Sequence, residues 1–408
     1  MNTIIVLGGM FTLLFIAYMC SVDRKRIKFQ PIIGAFIIQA LIGAFVLYVP
    51  VGQQFLGLLT KAVSAIIEFS NHGIRFLFGN LNDGRNGFLF AFQVLPIIIF
   101  FSSLMSVMYY LGFMQKIVSL FGAGVRRLLG TSKIESTAAA SNIFVGNVDV
   151  FIMVKPYVKD LTKSELFAVM TGGFASIAGS VLVGYAAMGI DIKILLTAAF
   201  MSAPAGLLFA KLIYPETEEV KEISLDVYLE EEKPVNIIEA ATEGAFVGLK
   251  VAASVGVMLL ALISLIAMVN GIISVVGSFF GADTITLEQI FGYIFSPFAW
   301  LLGIPKNEIL AAGNFLGQKL VLNEFVAFLD FTKNRELLSP TSQTIVIMAL
   351  AGFANLSAPA AMLGVLGNFA PERKGFIAKM AWRVILGSTL ANLMSAAIIS
   401  FYMSVFGS

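Results

Sequence analysis

Residues 130–147 read GTSKIESTAAASNIFVGN, and residues 303–318 read GIPKNEILAAGNFLGQ. Both open on Gly-x-x-Lys-x-Glu, placing Glu135 and Glu308 173 residues apart, and both run into an Asn/Phe/Gly cluster. A third echo follows in order: GGFASIAGS at 172–180 is answered by AGFANLSAP at 351–359, with Phe174 and Phe353 separated by 179 residues. Three ordered matches at nearly constant spacing define a long-period internal repeat. The stretches 132–160 and 306–333 are apolar but broken by Gly, Asn and carboxylates, which suits re-entrant helical hairpins better than simple spans.

The rest of the chain fixes the solvent. Of 408 residues 58% are hydrophobic and 13% charged, about half the charge of a soluble domain, and the mean hydropathy is +0.90. The single Cys20 excludes an internal disulfide framework, and the single His72 argues against a zinc enzyme or a histidine-based triad. A net charge of +2 gives no reason to expect nucleic acid as a partner. The partner is a lipid bilayer. Apolar stretches near the ~20 residues a span needs lie at 3–20, 31–50, 88–112, 165–189, 192–213, 250–275, 343–367 and 380–405. Residues 53–70, with Gln53, Gln54, Lys61 and Glu68, suit an interfacial amphipathic helix.

The expected fold is therefore an all-α integral membrane protein of eight transmembrane helices, two re-entrant hairpins and an interfacial helix. Its divisions are 1–112 (N-terminal scaffold), 113–214 (first repeat), 215–249 (an acidic cytoplasmic loop) and 250–408 (second repeat). Arg24, Lys25, Arg26 and Lys28 follow the first apolar stretch instead of preceding it, which places both termini outside the cytoplasm. One repeat then begins inside and the other outside. This inverted topology commonly sets a substrate site near the bilayer midplane, between broken helices.

Polar groups at that depth normally face each other, water or cargo. The candidates are Asn142, Asn147 and Asp149 in the first hairpin, and Asn314, Gln318, Asn323 and Glu324 in the second. Ser176, Ser180, Asn355 and Ser357 join them from the Gly-rich breaks in two spans. The competing reading is interhelical hydrogen bonding in a packed bundle. Phe353 stands two residues before Asn355, where a ring could stack on cargo.

The runs SNIFVG (141–146), KSELFAVMTGGFASIAGSVLVGYAAMGI (163–190), NEFVAF (323–328) and GFANLS (352–357) resemble the concentrative nucleoside transporters, bacterial importers among them. The resemblance extends from about residue 5 to the C-terminus. It implies a homotrimeric importer of the bacterial inner membrane that couples nucleoside uptake to a sodium or proton gradient, with a transport unit moving like an elevator against a scaffold. Carried over, the Na+ site falls on Asn142, Val145, Ser176 and Ile177, hard oxygen donors that need no carboxylate. Ribose contacts fall on Glu324 and Asn355, and Val181 and Phe353 wall the base. The family's Gly-Gln-Thr-Glu is here Gly146-Asn147-Val148-Asp149. Each polar side chain is one methylene shorter, and the expected Ser after Asn355 is Ala358, with Ser357 alongside. A site built on a hydrogen bond discriminates strongly when that bond is lost, so altered base selectivity is expected. Proton coupling and a related riboside or nucleobase stay open as cargo and coupling alternatives. A membrane enzyme lacks an activated nucleophile or metal cluster here. A passive channel differs from a symporter by failing to concentrate solute.

Overall fold

The computed structural model describes residues 3–82, 88–221, 234–279 and 285–407. Among these residues every regular element is helical. The first quarter holds α1 (Thr3–Met19), α2 (Phe29–Tyr48), α3 (Pro50–Phe78), the short α4 (Phe90–Gln93) and α5 (Leu95–Tyr110). Then come α6 (Phe113–Leu129), the pair α7 (Lys133–Ser141) and α8 (Asn147–Val154), the pair α9 (Lys163–Ala175) and α10 (Gly179–Ala187), and α11 (Ile192–Ile213). A 42-residue α12 (Ile237–Ser278) separates this set from α13 (Leu287–Leu301). The pair α14 (Ile309–Val321) and α15 (Glu324–Asn334), the pair α16 (Pro340–Leu350) and α17 (Ala358–Phe369), and α18 (Lys374–Phe406) complete it.

The order from α6 to α11 is thus repeated from α13 to α18: one helix, a hairpin, a broken helix and a long helix. Each long helix packs on both broken helices, because α11 and α18 each meet α9 and α16. Among the described residues, six helices or helix pairs are long and apolar enough to cross a membrane. Of the other two expected spans, 3–20 is the 17-residue α1, and 343–367 is divided between α16 and α17.

Three features differ from the sequence reading. The interfacial segment expected at 53–70 is a longer helix, Pro50–Phe78, since Pro50 starts it and Gly79 ends it. The helices α6 and α13 were not anticipated; both are strongly amphipathic and too short in apolar run to register as spans. The loop expected at 215–249 gives way to α12 at Ile237, because the Asn236 side chain caps the N–H groups of Ile238 and Glu239 at 3.0 and 2.9 Å. Residues 222–233 of that loop lie outside the described residues.

The hairpins and broken helices start where the sequence supplies caps. Ser132 and Glu135 form a capping box on α7, Thr162 and Glu165 another on α9, and Asn323 and Ser339 cap α15 and α16. Glu135 has a further tie. It pairs with Lys211 in the last turn of α11, whose Nζ also donates to Ser164 Oγ at 2.9 Å and has Glu216 at 3.8 Å. Glu308, its repeat counterpart, accepts from Ser339 Oγ at 3.1 Å instead.

Removing one partner of a buried pair strands the other, at a cost of about 3–5 kcal/mol. Lys211→Met is therefore expected to destabilise the detergent-solubilised protein by about that amount. The double variant Glu135→Gln/Lys211→Met should recover most of the loss in a denaturant or thermal unfolding series. Equal stability of Lys211→Met and the wild type would show that the pair does not anchor the first hairpin.

Candidate functional site

The first cluster forms where the tip of the α7–α8 hairpin meets the break between α9 and α10. Helix α7 ends at Ser141, and residues 142–146 turn into α8, whose start is capped by Asp149 Oδ2 accepting from Gly146 N at 3.2 Å. Helix α9 stops because Ser176 is extended (φ −98°, ψ 171°), and α10 resumes at Gly179. The two turns touch. A Cβ on Gly179 would stand 2.5 Å from the Phe144 carbonyl oxygen, so only glycine admits the hairpin tip at this distance.

Asn142 caps α7 and is 1% exposed, and neither atom of its side-chain amide has a hydrogen-bond partner. Its Nδ2 faces α9 at Gly172. Ser176, fully buried, donates to the Gly173 carbonyl at 3.1 Å. Val145 and Ile177 stand in the two non-helical turns, both buried. A buried amide left without a partner costs about 1–3 kcal/mol. The donor set of amide, hydroxyl and turn carbonyls offers oxygen ligands of the kind a hard monovalent cation takes. Among the described residues no three His, Cys, Asp or Glu side chains gather as a multivalent metal centre would need.

The second cluster repeats the arrangement with different chemistry. The tip of the α14–α15 hairpin meets the break between α16 and α17, tied by Leu356 N donating to the Leu320 carbonyl at 2.9 Å. Glu324, 2% exposed, opens α15, and its Oε2 accepts from Asn355 Nδ2 at 3.0 Å. Asn355 Oδ1 in turn accepts from Ser357 N and Oγ at 3.0 and 2.6 Å. Tyr185 of α10 presents its ring to Phe325 and Phe328, with centroids 4.8 and 4.5 Å away. Phe353 is half-buried on the core.

Two contacts join the clusters. Helix α8 packs on α17, and α10 carries Ser180 toward the first hairpin and Tyr185 toward the second, with buried Val181 one residue beyond Ser180. A cavity of about 640 Å3 opens beside the first hairpin. Its walls come from α5, α6, α7, α8, α10 and α12, and include Val145, Gly146, Asp149 and Ser180 with Arg126, Lys133 and Glu243. The volume suits a small organic molecule. Glu324, Phe353, Asn355 and Ser357 do not line it. The side chains of Asn147 and Val148 lie outside the described residues.

Some polar residues of the second hairpin turn away from this region. Asn314 and Gln318 donate to Asp330 Oδ2 at 3.1 and 2.6 Å and so bind α14 to α15, and Asn323 is a helix cap. For these three the packing role holds. Sequence reasoning passed over Tyr185, Lys319 and Asn392. Lys319 had a signal, the one charged residue in the apolar α14 run and five residues before Glu324; Asn392, inside the apolar α18, had little.

The family described as Na+ dependent nucleoside transporter matches by its C-terminal part at residues 194–400 and by its N-terminal part at 8–81. A domain described as nucleoside recognition matches 91–191. The nucleoside permease NupC of Helicobacter pylori is 44% identical over 408 residues, covering 97% of each chain. An uncharacterized transporter of Haemophilus influenzae is 46% identical over 405 residues, again covering 97% of each. The solved structure of CNTnw in an inward-facing substrate-bound state has a TM-score of 0.94 at 46% identity and covers 100% of this chain and 99% of that one. Matching over nearly its whole length, the chain belongs to the concentrative, sodium-dependent nucleoside transporter family, a family of membrane transporters and not of enzymes.

Proposed function

We propose that this chain imports nucleosides across the bacterial inner membrane, coupled to sodium, by elevator-type alternating access. Asn142, Val145, Ser176 and Ile177 hold the ion. Glu324 and Asn355 bind the ribose, and Gly146, Asn147, Val148, Asp149, Val181, Phe353 and Ser357 surround the base. The observation that carries this reading is the buried, unpartnered Asn142 amide at the junction of hairpin tip and helix break. In the second cluster, Glu324 and Asn355 form an acceptor–donor pair suited to sugar hydroxyls. Alternating access draws support from CNTnw, solved in both inward-facing and outward-facing states with TM-scores of 0.94 to this chain. The inverted repeat supplies the symmetry such motion uses, and a homotrimer is the assembly expected of it.

The test is uptake of radiolabelled uridine and adenosine into proteoliposomes, with an inward sodium gradient or with choline in its place. Sodium-dependent accumulation of either is the expected result. Uptake that follows a pH gradient and ignores sodium would move coupling to the carboxylates, Asp149 foremost because it lines the cavity. No uptake of either in folded protein would reject nucleosides as cargo.

Base choice should respond to the first hairpin. Asp149→Glu lengthens the carboxylate by one methylene and is expected to change the uridine-to-adenosine uptake ratio at least tenfold, the scale of one hydrogen bond to a charged group. An unchanged ratio would remove Asp149 from base recognition.

A further inference from the structure

Lys319 is the one charged residue on α14 beyond its first turn, and it is 3% exposed. Its Nζ donates to the Ala349 carbonyl at 2.7 Å and to Asn392 Oδ1 at 2.6 Å. Ala349 lies in the last turn of α16, where unpaired carbonyls and the negative end of the helix dipole attract a cation. Asn392 in turn donates to the Ala175 and Ala351 carbonyls at 2.7 and 2.9 Å, touching the ends of both broken helices from α18. Glu324, five residues on, lies within electrostatic reach of the ammonium. The tip and break of the first junction, residues 142–146 and 176–178, carry no cationic side chain, whereas the second junction holds the Lys319 ammonium.

We propose that the Lys319 ammonium is a built-in cation, doing at the second hairpin what the free coupling ion does at the first: it docks the hairpin tip on the helix break and holds Glu324 in place. Lys319 is thus a positioning residue acting through Glu324 and α16, and the second hairpin is kept ready for cargo without an ion of its own. The comparison with the coupling ion and the binding arm of the test rest on the transport reading; the docking of the hairpin by the ammonium does not. Lys319 also borders a cavity of about 210 Å3, with Leu320, Ala349 and Leu356 among its walls, a volume that has room for a methylammonium ion.

The experiment compares wild type, Lys319→Gln and Lys319→Ala in detergent by uridine titration calorimetry and by thermal unfolding with and without methylammonium chloride. Lys319→Gln fills the same space without the charge and is expected to weaken uridine at least tenfold. In Lys319→Ala, methylammonium should raise the unfolding temperature and restore uridine binding, whereas tetramethylammonium, too large for the carbonyl pair, should do neither. The wild type should respond to neither ion. If Lys319→Gln binds uridine within threefold of wild type, the proposal fails, whatever Lys319→Ala does. It fails equally if a folded Lys319→Ala gains nothing from methylammonium. Should the wild type bind no nucleoside, the nucleoside reading falls, and the thermal arm still decides the built-in cation.

Discussion

A Glu324→Gln transporter is expected to take up uridine about 100-fold more slowly than the wild type at subsaturating substrate, while remaining folded and sodium-responsive. The substitution keeps volume, and Gln can still accept from Asn355 Nδ2 through its amide oxygen, so the hairpin tip and helix break stay joined. What is lost is charge. Carboxylate acceptors form hydrogen bonds about twice as strong as neutral ones, and bonds to charged groups contribute about 1.5–3 kcal/mol each. Two ribose hydroxyls on one carboxylate put the loss near 3 kcal/mol, about two powers of ten. The ribose reading adds a sharper consequence. The wild type should discriminate strongly against 2′,3′-dideoxyuridine, and Glu324→Gln should discriminate far less, because both sugars then meet a neutral amide. Uptake by Glu324→Gln within threefold of wild type would take Glu324 out of the site. Slow uptake with unchanged sugar discrimination would leave it a structural role only.

The parts of this molecule that the sequence made readable are those where chemistry and period agree. The hairpins at 132–160 and 306–333 were legible because Gly, Asn and carboxylates interrupt apolar runs twice, at repeat spacing, and the structure has helix–turn–helix pairs there. The breaks at 176–178 and 351–357 were legible from Gly-rich and Ala-Pro punctuation. The helices α6 and α13 were not, since a strongly amphipathic helix carries too little mean hydropathy to register as a span. Sorting the buried polar residues also needed three dimensions. Asn314, Gln318 and Asn142 look alike in sequence, each an amide in an apolar hairpin. Asp330, one helix away, satisfies the first two, while nothing satisfies Asn142. Lys319 is the opposite case: its charge is plain in the sequence, but the partners that give it a role, Ala349 and Asn392, lie 30 and 73 residues away.

The same contrast makes Asn142→Ala the most informative change in the first hairpin, since its effect on stability should reverse sign with sodium. In a sodium-free buffer the wild type holds a buried amide without partners. Deleting it relieves a penalty of about 1–3 kcal/mol, set against the loss of a few packing contacts, so Asn142→Ala is expected to unfold at the same temperature as wild type or higher. With sodium present the order should invert. A ligand that binds only the folded state stabilises it by about 2.7 kcal/mol at 100 times its dissociation constant, and the wild type gains this while Asn142→Ala gains little. Transport follows the same logic: losing one oxygen ligand at about 1.5–3 kcal/mol should raise the sodium concentration for half-maximal uridine uptake by roughly 10- to 150-fold. Had Asn142 only packed the hairpin against α9, its removal would lower stability equally in both buffers and leave the sodium requirement unchanged. Parallel unfolding curves in sodium and choline, measured on wild type and Asn142→Ala, separate the two accounts, because an ion ligand and a packing residue predict opposite signs in the buffer without sodium.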